Sequence, residues 1–408
     1  MAEIRQFDVV VVGGGAAGIA TASSLLKRAG QLSIAIVDAA DSHYYQPGWT
    51  MVGGGVFSAA ATMRPMASVI PQGATWIKQN VTAFDPASNE LTLSDGNCLG
   101  YQQLVVCPGL KLNWAGIEGL EENLGKNGVT SNYSYHTAPY TWELVKNLKS
   151  GRAIFTQPPM PIKCAGAPQK ALYLSADHWT RSGTLADISI GFYTATPGLF
   201  GVAHYVPALM QYIDKYGVDL NCQHNLTAID GSRKVATFSH GGGEALEVEF
   251  DMLHVCPPQC APDVIRQSPL VDDAGWVDVD PGTLQSRKFD NVWSLGDVMN
   301  APNAKTAAAA RAQAPVVAVN LLEQLGIRSE TGLYNGYGSC PLTVERGKIV
   351  LAEFGYGGKL LPSFPAWLID GQYPSTLAWL LKAKVLPWLY WHAMLKGREW
   401  LVKPSQQA

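Results

Sequence analysis

The stretch Phe7–Gly30, FDVVVVGGGAAGIATASSLLKRAG, decides the fold. Four consecutive valines, Val9 to Val12, read as a strand buried on both faces, and the alanine-rich run after the glycines reads as a helix. Between them Gly13, Gly15 and Gly18 stand in G-x-G-x-x-G register, with Ala16 and Ala17 as the small residues inside it. Glycines at these places allow a tight turn and bring backbone N–H groups close to a pyrophosphate at a helix N-terminus. The next strand, LSIAIVDAA, carries Asp38 twenty residues beyond Gly18, where a carboxylate accepts hydrogen bonds from a ribose hydroxyl. Such a βαβ start belongs to a parallel sheet, so the expected class is α/β with Rossmann-like dinucleotide-binding domains.

A second α/β stretch opens at RAIFTQPP (Arg152 to Pro159) and continues through ADISIGFYTATPG to about residue 255. The chain then returns to the first domain at FDNVWSLGDV and the helix KTAAAARAQAPVVAVNLLEQL. The expected organisation is a discontinuous dinucleotide-binding domain of residues 1–110 and 256–330, a second Rossmann-like domain of residues 111–255, and a C-terminal region of residues 331–408. A hydrophobic strand ending in Gly296-Asp297 is what two-dinucleotide flavoproteins use to hold a flavin's ribityl chain. Lys305, Thr306 and Ala307 open the following helix, whose N-terminus, with Lys305, would stabilise negative charge on a reduced flavin. FAD is the expected cofactor.

The second domain lacks the matching turn. After the strand AIFTQ comes PPMPIKCAGAP, in which three prolines stiffen the approach and Gly166 is the one glycine. The close backbone approach that an NAD pyrophosphate needs is not available there. The loop offers Cys164 instead, a thiol just ahead of a helix starting near Pro168. Adjacent Lys163 and the helix N-terminus would both lower its pKa. A thiol that cycles through disulfide chemistry needs a partner. Cys340, in YNGYGSCPLTV, is the best candidate, and Cys256 and Cys260, in HVCPPQCAPD, compete for the role. A metal site at that pair would need more ligands than neighbouring His254, so no metal is expected.

Bulk composition narrows the partners. The 408 residues are 47% hydrophobic and 15% charged with a formal net charge of −3, which gives no reason to expect nucleic acid. Twelve tryptophans and sixteen tyrosines on so weakly charged a chain point to an apolar interface. Seven cysteines, an odd number at low density, argue against a secreted disulfide framework. No apolar run reaches the roughly 18 residues of a membrane span. The first strand begins at Phe7, so neither signal nor transit peptide is expected.

KCAGAPQKALYLS, YNGYGSCPLTV, HYYQPGWTMVGGG and GDVMNAPNAKTAAAA together resemble the sulfide:quinone oxidoreductases of the branch that includes the mitochondrial enzyme, within the two-dinucleotide-binding flavoprotein fold of the disulfide reductases. The resemblance covers nearly the whole chain. It implies that Cys164 and Cys340 are the redox-active pair, bridged at rest by a disulfide or trisulfide. It places Asp38 on the adenosine ribose, Gln46 and Val81 along the FAD, and Asp297 at the ribityl–phosphate region. Hydrosulfide would attack the Cys340 sulfur, and the anion released at Cys164 would deliver two electrons to the flavin. A small acceptor such as glutathione, sulfite or cyanide would then take the sulfane sulfur, and ubiquinone or another membrane quinone would take the electrons. The cysteines of CPPQC depart from the family pattern.

Quinone lives in lipid, and the tail offers a means of reaching it. FPAWLIDG and TLAWLLKAKVLPWLYWHAMLKGREW hold Trp367, Trp379, Trp388, Trp391 and Trp400, with Lys382, Lys384, Lys396 and Arg398 interspersed. Two amphipathic helices broken at Pro387 would lie in the interface plane, their lysines reaching headgroups. The resulting expectation is a monotopic enzyme on the cytoplasmic face of a bacterial inner membrane, with a homodimer left open. The alternatives are a type II NADH:quinone oxidoreductase and a non-catalytic membrane flavin redox sensor.

Overall fold

Strand β1 (Arg5–Val12) forms because Val9 to Val12 bury their branched side chains on both sheet faces, and all four are buried. The computed structural model describes residues 4–243, 245–400, 402 and 404; the expected outer limits at residues 1 and 408 lie outside these. Around β1 the sheet is built from β2 (Ile34–Val37), β3 (Ala74–Ile77), β4 (Val81–Asp85), β5 (Glu90–Leu93) and β6 (Cys98–Val106), in the order β3-β2-β1-β6-β5-β4. β3, β2, β1 and β6 run parallel, so the carboxyl ends of β1 and β2 open on one edge. That edge carries the glycine turn, followed by helix α1 (Ala16–Arg28).

A second parallel sheet holds β7 (Val129–Thr130), β8 (Gly151–Gln157), β9 (Ile188–Thr194), β10 (Val218–Cys222) and β11 (Met252–His254), in the order β7-β11-β8-β9-β10. Helix α2 (Ala167–Ser182) follows β8 and covers this sheet. The chain then returns to the first sheet, where β12 (Val292–Ser294) pairs in parallel with β6, and helix α3 (Ala307–Gln324) packs on α1. Both sheets match the α/β class expected from the sequence.

The chain beyond residue 330 is woven into both layers. The antiparallel pair β13 (Gly338–Glu345) and β14 (Lys348–Phe354) lies on α2, and its Leu342, Val344, Val350 and Ala352 complete the core containing Phe155, Leu172 and Trp179. Two further helices, α4 (Thr376–Leu380) and α5 (Leu386–His392), are joined by a π-helical turn over Leu381–Val385. Pro387 therefore does not break the tail. It stands in the first turn of α5, just after the π-helical turn, and that wider turn accommodates the proline within a continuous helical run.

From α5 the chain folds back as a strap across α1. Ser23 Oγ donates to the Leu395 carbonyl at 2.8 Å, Lys27 Nζ to the Gly397 carbonyl at 3.2 Å, and Arg28 makes a two-pronged ion pair with Glu399 at 2.6 Å on each prong. Gly397 has φ +63, and a Cβ there would stand 2.7 Å from the Ser23 carbonyl oxygen, so the crossing requires glycine. Truncating the fork by Arg28→Ala is expected to cost about 1–3 kcal/mol, since the pair is half-buried and bidentate. A lower midpoint in urea unfolding checks it, and an unchanged midpoint contradicts it.

Candidate active site

The glycine turn has room where an anion would lie and none elsewhere. Gly13 has φ +108, and a Cβ there would stand 2.5 Å from the Cys107 carbonyl oxygen; a Cβ on Gly18 would overlap the Gly13 carbonyl oxygen. A Cβ on Gly15 would meet nothing within 4 Å, and no side chain caps the N-terminus of α1 that follows. Ala16 and Ala17 form the first helical turn, so their small side chains keep its N–H groups accessible. Asp38 Oδ2 accepts from the Gly14 N–H at 2.6 Å and Oδ1 from the Ala40 N–H at 2.8 Å, which fixes the carboxylate beside the turn with lone pairs to spare. Val81 heads β4, four residues past the carboxyl end of β3, and is buried in the core built around β1, β2 and β6. These features fit a dinucleotide.

A second turn meets the first. Gly296 has φ +79 and faces Ala17 so closely that a Cβ would lie 3.2 Å from the Ala17 Cβ; its N–H donates to Gln313 Oε1 at 2.8 Å. Burial raises the carboxyl of Asp297, the next residue. Lys305 is buried over the Trp276 ring, and its Nζ donates to the carbonyls of Asp297 and Met299 at 2.7 and 2.8 Å. Burial pushes this ammonium down to about 8. Thr306 caps α3 by accepting from the Ala309 N–H, and Ala307 is its first helical residue. Backbone pairing between Lys163 and Lys305 ties the cysteine loop to this turn.

The cysteine loop brings together residues 176 positions apart. Cys164 Sγ lies 3.3 Å from Cys340 Sγ, at a half-buried position with φ +78. That φ is uncommon for a side chain larger than glycine and marks a backbone held by its surroundings. Cys340 is buried on β13, which α2 and Gly166 cover. A Cβ on Gly166 would collide with Leu342 and stand 2.8 Å from Cys340 Sγ. Gly166→Ala is therefore expected to destabilise by about 1–3 kcal/mol, as overpacked cores do, and to displace the Cys340 sulfur. Thermal melting together with the accessibility of Cys340 to a thiol reagent would show it; a variant melting like the parent would contradict it.

Hydrogen bonding from Cys340 and then the Lys170 ammonium hold the Cys164 thiol well below the usual range. The same shared proton, with burial, drives Cys340 well above it. Lys170, nearly fully buried on α2, has its Nζ 3.2 Å from Cys164 Sγ. Burial opposes its charge, but the sulfurs outweigh burial and hold the ammonium above its ordinary value. The lysine on the thiol is thus Lys170 and not the adjacent Lys163. Lys163 Nζ turns away to Gln46 Oε1 at 2.7 Å and lies near the rings of Trp49 and Tyr133, because the left-handed backbone at Cys164 separates the two side chains.

A third lysine arrives from the tail. Lys382, on the π-helical turn, is buried, donates to the Pro47 carbonyl at 3.2 Å, and feels the charges of Lys170, Cys164 and Cys340. Burial, followed by the like charge of Lys170, lowers it to about 7. Lys382 therefore faces the sulfur site and not a headgroup; among the described residues of the tail, Lys384, Lys396 and Arg398 are exposed. The tryptophans divide similarly. Trp367, Trp388 and Trp400 are exposed, Trp379 is half-buried, and Trp391 is buried under the Arg64 guanidinium. Leu377, Leu380 and Val385 join Trp388 on the outer face.

Of the competing cysteines, Cys256 packs into the same small apolar cluster as Cys164, Tyr133 and Ile162, but the sulfur that meets Cys164 Sγ at 3.3 Å is that of Cys340. Cys256 is buried, with Gln259 Nε2 3.8 Å away, and burial pushes its thiol up to about 12. Cys260 pairs with Lys111 in a short antiparallel ladder. Among the described residues no group of three or more His, Cys, Asp or Glu is placed to hold a metal ion. Nor is any helix among them long and apolar enough to cross a membrane.

Comparison with known proteins gives a consistent picture. Residues 7–142 match the family model described as pyridine nucleotide-disulphide oxidoreductase. The chain is 45% identical over 396 residues to "Sulfide:quinone oxidoreductase, mitochondrial" of Dictyostelium discoideum, covering 96% of this chain and 86% of that protein. It is 39% identical over 395 residues to the protein of the same description from Mus musculus, covering 96% and 87%. The solved sulfide:quinone oxidoreductase of the bacterium Aquifex aeolicus shares the fold, with a TM-score of 0.79 at 19% identity over 97% of this chain and 92% of that one. The expected location on the cytoplasmic face of a bacterial membrane is overturned, because the relatives that match at high identity over nearly the full chain are mitochondrial proteins of eukaryotes. That expectation rested on where the chain starts, which says nothing about compartment.

Proposed function

From the premise that the chain belongs to the sulfide:quinone oxidoreductase family, we propose that it oxidises sulfide at the Cys164–Cys340 pair and passes the electrons through FAD to a membrane quinone. The FAD would be held by Gly13, Gly15, Ala16, Ala17 and Gly18 around its pyrophosphate, Asp38 on a ribose, and Gly296, Asp297 and the start of α3 further along, within a unit of residues 1–110 and 256–330. When bound there, the flavin supplies a two-electron carrier between sulfur and quinone.

The observation that carries the reading is the asymmetry of the pair: the sulfurs lie 3.3 Å apart, Lys170 Nζ stands 3.2 Å from Cys164 Sγ, and the Cys164 thiol is held low while that of Cys340 is driven high. In thiol–disulfide exchange the better-stabilised thiolate leaves faster. Hydrosulfide attacks the Cys340 side of the bridge, its sulfur bonds to Cys340, and the electron pair of the broken S–S bond departs on the Cys164 side. Lys170 balances that charge where it forms. The result is a persulfide on Cys340 and a sulfur anion at Cys164, and a small nucleophile such as glutathione, sulfite or cyanide removes the outer sulfur. Where the resting bridge is a trisulfide, the leaving group is the Cys164 persulfide anion.

The loop Pro158–Gly166 supports sulfide over NADH as donor, since its thiol and prolines stand where a second glycine turn would receive a nicotinamide nucleotide. Exposed Trp367, Tyr373, Leu377, Leu380, Val385 and Trp388 support a membrane surface as partner. Anaerobic mixing of the flavin-loaded protein with sulfide is expected to bleach the flavin, and a short-chain quinone to restore its colour, while NADH bleaches it at least about a hundredfold more slowly. Bleaching by NADH as fast as by sulfide would sink the reading.

A further inference from the structure

We propose that His43 is a positioning residue for the dinucleotide turn, held in its working tautomer by Tyr390 of α5, the helix that leads into the strap; the inference rests on the reading that FAD binds at Gly13–Gly18. His43 is buried, with Nδ1 2.9 Å from the Gly14 carbonyl oxygen and Nε2 2.6 Å from the Tyr390 hydroxyl. A carbonyl oxygen can only accept, so Nδ1 carries the proton. Nε2 then presents a lone pair at 2.6 Å from the Tyr390 hydroxyl, a nearer acceptor for its O–H than the Tyr44 carbonyl at 3.4 Å. The order of donation runs from Tyr390 to His43 to Gly14.

Gly14 is thereby gripped on both sides, since its N–H donates to Asp38 Oδ2 at 2.6 Å. The peptide between Gly14 and Gly15 is planar, and in the trans form its C=O and N–H point in opposite directions. Anchoring the Gly14 oxygen on His43 aims the Gly15 N–H away from the core, at the residue where an added Cβ would meet nothing within 4 Å. A flipped peptide would turn a carbonyl oxygen toward the pyrophosphate and repel it. His43 thus keeps a donor facing the anion without touching the anion itself.

The far end of the relay belongs to the tail. Tyr390 is buried against Tyr45, with ring centroids 4.8 Å apart, and Trp391 meets the His43 ring edge-on at 5.7 Å. The segment after Tyr390 is the one that Arg28 grips through Glu399. Retention of the nucleotide therefore depends on whether the strap is seated.

The test compares flavin release from holoprotein variants, read as the rise of free-flavin fluorescence after dilution, with FAD rebinding to the apoprotein alongside. In His43→Asn the amide N–H takes the place of Nδ1–H and keeps the Gly14 bond. In His43→Gln the amide takes the place of Nε2 and loses it. His43→Gln is expected to release flavin roughly tenfold faster than the parent and Tyr390→Phe about threefold faster, the scale of one lost buried hydrogen bond, with His43→Asn within about twofold of the parent. Equal release from the Asn and Gln variants would mean that His43 only fills space and would overturn the proposal. Parental release from both His43→Gln and Tyr390→Phe would overturn it as well. If His43→Gln fails to fold, Tyr390→Phe, which preserves the ring, decides alone: faster release supports the proposal and parental release rejects it. A parent protein that holds no FAD overturns the FAD reading and this inference together, whereas unchanged variants of a protein that holds FAD overturn the inference alone.

Discussion

Cys340→Ala and Cys164→Ala are each expected to slow sulfide-driven bleaching of the flavin roughly a thousandfold or more, the scale on which losing a reacting nucleophile shows. Either change removes the bridge, because each sulfur has one thiol partner in reach at 3.3 Å. The two variants fail differently. Without Cys340 the remaining Cys164 loses the hydrogen bond that lowers its thiol most, keeps the Lys170 ammonium 3.2 Å away, and has no sulfur to bond to. Without Cys164 the remaining Cys340 is buried in an apolar core and lacks the partner whose anion shared its proton. Cys164→Ala should therefore also lose the reaction with an alkylating thiol reagent that Cys340→Ala, with Lys170 still beside Cys164, retains in part. Stopped-flow spectra at fixed sulfide measure the rates. Bleaching at the parental rate in Cys340→Ala would remove this cysteine from the chemistry.

The next largest effect is expected for Lys170→Met, which preserves the buried stem and deletes the charge. A charge-assisted hydrogen bond is worth about 1.5–3 kcal/mol, so sulfide-driven bleaching at pH 7 should fall roughly tenfold to a hundredfold. The pH dependence gives the prediction its sign. The lost cation lets the Cys164 thiol rise to a higher value, with the hydrogen bond from Cys340 still holding part of the lowering. The anion that the parent keeps through neutral pH then disappears as pH falls through that higher value, so the deficit widens from alkaline to neutral solution. Lys382 moderates the loss. Burial and Lys170 together hold it near about 7, and removing Lys170 allows it to stay protonated to higher pH. A Lys170→Met, Lys382→Met double variant should be slower than either alone. A deficit that did not vary between pH 6.5 and 9 would mean that Lys170 acts through packing.

The sequence made the first half of this site readable and the second half only in outline. Gly13, Gly15, Gly18 and Asp38 could be read because their roles are local: a turn, a helix start and a strand end set by neighbouring residues. Gly296-Asp297 and Thr306 were legible for the same reason. The identity of the lysine on Cys164 was not, because proximity along the chain pointed to Lys163. The positive φ at Cys164 sends that neighbour to Gln46, and one turn of α2 brings Lys170 back. The spacing Cys-x₅-Lys across a loop and a helix start was the clue available. Lys382 had no local clue at all. A lysine among tryptophans reads as an interfacial residue until the π-helical turn rotates it inward. Trp391 and Tyr390 were hidden likewise, since their partners His43, Tyr45 and Arg64 lie more than three hundred residues away.

That inward turn of Lys382 bears on anyone who would shorten the protein to make it easier to handle. The helix pair offering Leu377, Leu380, Val385 and Trp388 to the outside is the same piece of chain that carries a cation to the sulfur site and a hydroxyl to His43. Greasy surface and working groups alternate along about one and a half dozen residues, so no cut removes one without the other. Solubility would have to be sought by repainting single outward residues, Leu377 or Trp388 to polar ones, with the backbone left whole.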